Sequence, residues 1–146
     1  LRQNGENNDS IKKKIGNSVK SNLNIILCVG ESYSTYKTKK SIQFIKSQLK
    51  VLTKKTIKNT IIAYEPIWSI GTGKIPSEQY LNKIFDYLTK YCKKKYSLKP
   101  KILYGGSVNE NNIKVLKNIY NCSGFLIGGA SLKYKSLTNL IKNYYK

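Results

Sequence analysis

Ala63-Tyr64-Glu65-Pro66-Ile67-Trp68-Ser69-Ile70-Gly71-Thr72-Gly73-Lys74 is the stretch whose reading decides the fold of this chain. Residues 60–64 form a short apolar run that ends on a single carboxylate, Glu65. A Pro-Ile-Trp hinge and a glycine-rich loop follow. A carboxylate at the C-terminal end of a strand, beneath a loop able to close, has what a general base requires: rigid support and shelter from water. Pro66 holds φ at the first hinge. Trp68 is expected to pack against the body of the fold and Ile70 to cover the reacting atoms. Gly71 and Gly73 let backbone amides come close to an anion. The loop is not a P-loop, because that motif needs Gly where Trp68 stands and Ser or Thr where Ile75 stands.

Working outward, three more runs read as strands: residues 24–28, 101–104 and 124–127. Each is nearly continuous in apolar or β-branched residues, the pattern of strands covered on both faces in a parallel sheet. Helical periodicity fills the intervals. Residues 9–20 place Ile11, Ile15 and Val19 on one face, and residues 37–52 place Ile42, Ile45, Leu49 and Leu52. Residues 77–96 carry Leu81, Ile84, Phe85, Leu88 and Cys92, with Ser77 as N-cap and Glu78 in the first turn. Residues 109–119 carry Ile113, Leu116 and Ile119, and residues 134–145 carry Leu137, Leu140, Ile141 and Tyr144. The order is α-βα-βα-βα-βα, an α/β chain with a parallel sheet in one domain. A complete (β/α)8 barrel has eight such units and about 250 residues. Periodicity alone does not separate half a barrel from a small doubly wound sheet.

Composition bounds the partners. The 146 residues carry 27 Lys+Arg against 7 Asp+Glu, a formal net charge of +20. Arg2 is the only arginine. That balance permits polyanion binding, but sequence-reading proteins favour arginine for guanine edges, and no RRM, KH or zinc-finger pattern occurs. A solvated lysine surface is the plainer reading, and it would also steer a phosphorylated substrate. Cys28, Cys92 and Cys122 have no CxxC spacing and read as free thiols; Cys28 is expected to be a buried small hydrophobe and the other two structural. No histidine is present and no metal site is expected. No run of about 18 apolar residues suggests a membrane span.

Glycine pairs close the last two strand runs, in Tyr104-Gly105-Gly106-Ser107 and Gly128-Gly129-Ala130-Ser131-Leu132-Lys133, and Cys28-Val29-Gly30-Glu31 closes the first. Taken with the 63–74 segment and in this order, these stretches resemble the triosephosphate isomerase family. The resemblance covers essentially the whole chain. It implies the C-terminal half of a TIM (β/α)8 barrel: one partial barrel domain over residues 1–146, its last four βα units preceded by the family's fourth helix. It implies isomerisation of dihydroxyacetone phosphate and glyceraldehyde 3-phosphate without a cofactor, in glycolysis and gluconeogenesis.

The resemblance assigns Glu65 as the base; the family is itself the standard case of a tuned glutamate beneath a closing loop. Gly71, Ser107, Gly128 and Gly129 match residues that bind the substrate phosphate. Pro66, Ile67, Trp68, Ile70, Gly73 and Lys74 match the lid, which spans 66–76, and Tyr104 matches a residue that holds the lid closed. Cys28 and Glu31 match supporting residues, the acid contacting the lid tryptophan. Pro76 departs from the small residues usual at the second hinge.

The family's histidine electrophile and its Asn-x-Lys have no counterpart in these residues, and Leu1, not Met, opens the sequence. The expectation is therefore an incomplete chain, inactive alone, with unpaired edges on its first and last strands. The implied partners are a small phosphorylated triose and, at full length, a second copy in a homodimer, with no specific nucleic acid and no membrane. The family's default location is cytoplasmic, with a plastid or other organelle as the alternative. Two other classes stay open: a non-catalytic half-barrel needing a partner half, and a basic polyanion-binding module.

Overall fold

Four parallel strands lie side by side in chain order in a computed structural model that describes residues 5–146: β1 (Ile25–Val29), β2 (Thr60–Tyr64), β3 (Ile102–Tyr104) and β4 (Gly124–Phe125). Val29 pairs with Tyr64, Tyr64 with Tyr104, and Tyr104 with Phe125. The strands therefore end in step. Gly30, Glu65, Gly105 and Leu126, each just past a strand end, line one C-terminal edge, where α/β sheets carry their sites. Glu65 N–H bonds Val29 O at 2.8 Å and Gly105 N–H bonds Tyr64 O at 2.9 Å, extending the ladder past the strands.

Helices cover the other side of the connections: α1 (Asn8–Lys20), α2 (Tyr33–Lys37), α3 (Ser41–Gln48), α4 (Glu78–Tyr96), α5 (Ile113–Leu116) and α6 (Tyr134–Tyr145). The parallel α/β architecture is that of part of a TIM barrel. α4 forms as its sequence dictates. Ser77 accepts a bond from Tyr80 N–H, Glu78 sits in the first turn, Lys93 to Lys95 occupy the last, and left-handed Ser97 ends it. Leu81, Ile84, Phe85, Leu88 and Cys92 are all buried in the one core, Phe85 edge-on to Tyr64 of β2. Each large apolar side chain so covered contributes about 1.5–3 kcal/mol of burial.

Two expected helices are shorter than their apolar periodicity. The 37–52 stretch is two helices: α2 starts earlier, at Tyr33, and Lys39 at φ 57° closes it. Lys40 N–H reaches Thr35 O and Lys39 N–H reaches Tyr36 O, the paired bonds of a left-handed cap. A lysine there gives no glycine or asparagine signal. After Gln48 the chain tightens into a 3-10 turn, Leu49–Val51. The 109–119 stretch reduces to α5, ahead of which Asn109 and Asn112 bond each other's backbone amides as a reciprocal cap and Asn109 O accepts from Ile113 N–H. Strand bounds shift by a residue or two, with 124–127 reduced to Gly124–Phe125.

Two-sided burial holds for β2, where only Ile61 is partly open, and fails for β1. Leu27 and Val29 are buried, while Ile26 is 49% exposed and Cys28 is also exposed, so Cys28 is not the buried hydrophobe expected. β1 is the outer strand of the described sheet and its second face lacks a cover. α6 is similar: Leu140 is buried, but Ile141 and Tyr144 on the same expected face are exposed.

Candidate active site

Glu65 leaves the end of β2 with its backbone in the ladder, so its side chain departs from a fixed point. Two glycines clear its surroundings. A Cβ on Gly105 would lie 2.6 Å from Glu65 Cγ and 2.7 Å from its Oε1; a Cβ on Gly30 would lie 1.9 Å from Glu65 O. No side chain fits at either place without moving the acid. Cys28, on the neighbouring strand, lines the same cavity as the carboxylate. Its thiol is pushed up to about 12, first by desolvation, then by its interaction with the Glu65 carboxylate. The residue is open to solvent on one side, yet its thiol stays protonated, so it is a neutral neighbour of the acid and not a nucleophile. A cavity of about 410 Å³ runs beside β1 and carries Glu65, Cys28, Ile67 and Ile70 in its wall.

The first hinge is held by a buried acid. Glu31 is fully buried. Its carboxylate accepts from Tyr64 Oη at 3.0 and 3.1 Å, from Tyr80 Oη at 3.0 Å and from Trp68 Nε1 at 3.4 Å. Each of these donors is neutral, so directed hydrogen bonds do the work of a counter-cation. Burial, then the Glu31 charge, drives the Tyr64 hydroxyl far above its ordinary range, and burial lifts Tyr80 to about 12. Trp68 also meets α2, its ring centroid 4.7 Å from that of Tyr36 and 6.0 Å from that of Tyr33. Ile67 N–H bonds Glu31 O, and Pro66 is buried behind it.

The far limb of the loop is held by the β3 glycine segment. Gly73 N–H donates to Ser107 Oγ at 2.9 Å, and Ser107 Oγ–H donates to Ser69 O at 2.6 Å. Gly71 and Gly73 sit at φ +71° and +75°, where a side chain would be strained. Ser69 is fully buried. Its Oγ–H donates to Lys74 O at 2.6 Å, and its Oγ lies 3.0 Å from Tyr104 Oη and 3.3 Å from Ser107 N. The Ser107 amide, expected at a phosphate, faces Ser69 here. Gly106 must be glycine for this packing, since a Cβ would fall 2.1 Å from Tyr104 Oη and 2.5 Å from Ser69 Oγ. Burial lifts the Tyr104 hydroxyl to about 12, against the opposing pull of its Ser69 bond.

Ile70 is 49% exposed but shares the wall of the cavity with Glu65. Gly128 and Gly129 stand apart from the latched loop. A Cβ on either would meet nothing within 4 Å, and a short 3-10 turn, Gly129–Leu132, follows. Ser131 Oγ and N both bond Gly128 O, which shapes the turn without occupying the Gly128 and Gly129 amides. Among the described residues no cluster of His, Cys, Asp and Glu could hold a metal ion, and no helix is long and apolar enough to cross a membrane.

Sequence reasoning did not single out Ser69, Tyr80 or Gln48. Gln48 brackets Gly30 with two bonds, Gly30 N–H to Oε1 at 2.9 Å and Nε2 to Gly30 O at 3.1 Å, and so sets the loop between Cys28 and Glu31. The available signal was a polar residue on the apolar face of α3, three positions after Ile45. For Ser69 and Tyr80 the partners on other elements lie 35 or more residues away in sequence, beyond any local pattern.

The chain matches the triosephosphate isomerase family model over residues 2–144. It is 39% identical to triosephosphate isomerase of Campylobacter jejuni subsp. doylei over 132 residues, covering 90% of this chain and 56% of that protein. It is 41% identical to that of Mycoplasma mobile over 143 residues, covering 94% and 56%. With the Neurospora crassa protein it shares 38% over 135 residues, 88% of this chain and 54% of the relative. The chain thus spans about half the length of the curated relatives it matches. The ordered strand ends, the carboxylate at the end of β2 and the match across nearly the whole sequence lead to one conclusion: this chain belongs to the triosephosphate isomerase family.

Proposed function

We propose that this chain supplies the base, the lid and part of the phosphate site of a triose-phosphate isomerase that interconverts dihydroxyacetone phosphate and glyceraldehyde 3-phosphate. The observation that carries the reading is Glu65: a carboxylate at a strand end, cleared by Gly30 and Gly105, beneath a loop that Gly73 and Ser107 tie down. Glu65 takes a proton from C1 of dihydroxyacetone phosphate as the enediolate forms and returns it at C2. Residues 66–76 are the lid. The amides of Gly71, Gly128 and Gly129 are supported as phosphate donors by their glycine backbones and open surroundings. Ser107 joins them if the ligand displaces its long bond to Ser69. Glu31 and Tyr104 position the lid, and Cys28 is a neutral neighbour of the base.

The same reading treats residues 1–146 as one partial barrel domain, the last four βα units preceded by the fourth helix. The 146 residues contain no histidine, so on this reading the family's carbonyl-polarising histidine has no counterpart among them. Stabilising the enediolate charge is usually a large term in such catalysis. Homodimerisation at full length and a cytoplasmic setting belong to the same reading and rest on the family alone. In the full-length polypeptide, Glu65→Gln is expected to lower kcat by about 10²–10⁴-fold, the usual worth of a positioned base. The check is a coupled assay of glyceraldehyde 3-phosphate formation. Retention of activity within tenfold overturns the assignment. The 146-residue chain alone is expected to show essentially no turnover; substantial proton exchange by it would contradict the division of labour.

A further inference from the structure

We propose that Ser69 is a positioning residue of the lid: its buried hydroxyl fastens the far limb, at Lys74, to Tyr104 and Ser107 and so sets the closed position over Glu65. The proposal rests on reading residues 66–76 as the lid. The hydroxyl's capacity is fully used. Its single proton goes to Lys74 O at 2.6 Å, so the 3.0 Å contact with Tyr104 must have the tyrosine as donor. Its second lone pair accepts from Ser107 N–H at 3.3 Å. The Ser69 carbonyl completes the circuit, accepting from Ser107 Oγ–H at 2.6 Å, while that same oxygen accepts from Gly73 N–H at 2.9 Å. Ser69, Ser107, Gly73 and Lys74 therefore form a closed ring of bonds. Ser69 is the member that ties the near limb of the lid both to the far limb and to the β3 segment. Ser69 and Tyr104 are both fully buried, so their mutual contact runs where water does not compete, while the bonds to Lys74, Ser107 and Gly73 lie nearer the surface.

Alanine at position 69 removes the acceptor of a buried tyrosine hydroxyl and frees the Lys74 carbonyl in one step. The backbone bond from Ser107 remains but loses its neighbours. The lid should then open locally without the sheet unfolding, because the ladder from Tyr64 to Gly105 does not pass through Ser69.

The test is native-state amide hydrogen exchange in the full chain, comparing Gly73 N–H on the lid with Gly105 N–H at the sheet edge. Ser69→Ala is expected to speed exchange at Gly73 by at least about tenfold, with Gly105 changed by less than about threefold. Tyr104→Phe should reproduce part of the Gly73 effect and add little in the Ser69→Ala background. Unchanged exchange at Gly73 overturns the proposal. So does a loss at Gly73 matched by an equal loss at Gly105, which marks Ser69 as a general stability residue. Full additivity with Tyr104→Phe likewise overturns it. No substrate enters the readout, so a full-length chain without isomerase turnover would sink the catalytic reading and leave the exchange result standing.

Discussion

The two glycine segments at the C-terminal edge have similar sequences and opposite environments. Gly105-Gly106 is crowded: one glycine faces the Glu65 side chain, the other the Tyr104 and Ser69 hydroxyls. Gly128-Gly129 is open on every side. The first pair is required by packing, since its missing Cβ atoms are space that the Glu65 side chain and the Tyr104 and Ser69 hydroxyls occupy. The second pair exposes backbone and nothing more. Glycines alike in one dimension thus make room for packed side chains in one place and leave open space in the other. Glu65 and the 66–76 loop are fixed by contacts within this chain, whereas the last loop has few such contacts around its glycines.

That contrast can be broken, and the largest effect is expected at the acid that anchors the crowded side. Glu31→Ala leaves the buried Tyr64 hydroxyl, the Tyr80 hydroxyl and the Trp68 indole without their acceptor. An unpaired buried donor costs about 1–3 kcal/mol; with Tyr64 buried and Tyr80 and Trp68 only partly so and costing less, stability should fall by roughly 2–5 kcal/mol. Urea unfolding monitored by tryptophan fluorescence measures it, and a loss under about 1 kcal/mol would show that the anchor is decorative. Gly106→Ala comes next, at about 1–3 kcal/mol for overpacking against Tyr104 and Ser69.

Alkaline pH sharpens the comparison from another side. The Tyr104 hydroxyl is raised from its ordinary 10.0 to about 12 by burial. A raised folded value means the folded state holds the proton more tightly. The stabilisation is complete below pH 10 and is lost as pH climbs from 10 to about 12. Tyr104→Phe should flatten the stability curve in that window; an unaltered slope would remove Tyr104 from the latch. The smallest effect belongs to the open loop. Gly129→Ala, with no atom near the added Cβ, should change stability by no more than about 0.5 kcal/mol. A larger loss there would erase the distinction between the two glycine pairs.

Much of the fold was legible in the sequence because its signals are local. β2 at Thr60–Tyr64 and α6 at Tyr134–Tyr145 fall where the apolar run and the helical period end. Ser77 caps α4 because a hydroxyl beside an acidic first turn satisfies amides within reach. The failures share a cause. α2 ends through a left-handed lysine, and Ile26 and Cys28 lie open because one face of β1 is uncovered, so both depend on surroundings that the residue names do not advertise. In the candidate site, Glu65, Trp68 and the glycines stood out through motif and spacing. Tyr80 and Gln48 looked like ordinary helix residues until α4 and α3 brought them against Glu31 and Gly30.

The sequence by itself determined the alternation of strands and helices, the carboxylate at the end of β2 and the glycine loops beside it. Each is written in neighbouring residues, where hydrophobic period, caps and backbone freedom act over a few positions. Tertiary structure alone decided that a serine inside the loop is fully buried at the centre of a hydrogen-bond ring, and that a lone buried acid is held by two tyrosines and a tryptophan. Hydroxyl and indole donors have no fixed partner along the chain. What they bind is settled only when parallel strands end in step and set their loops side by side.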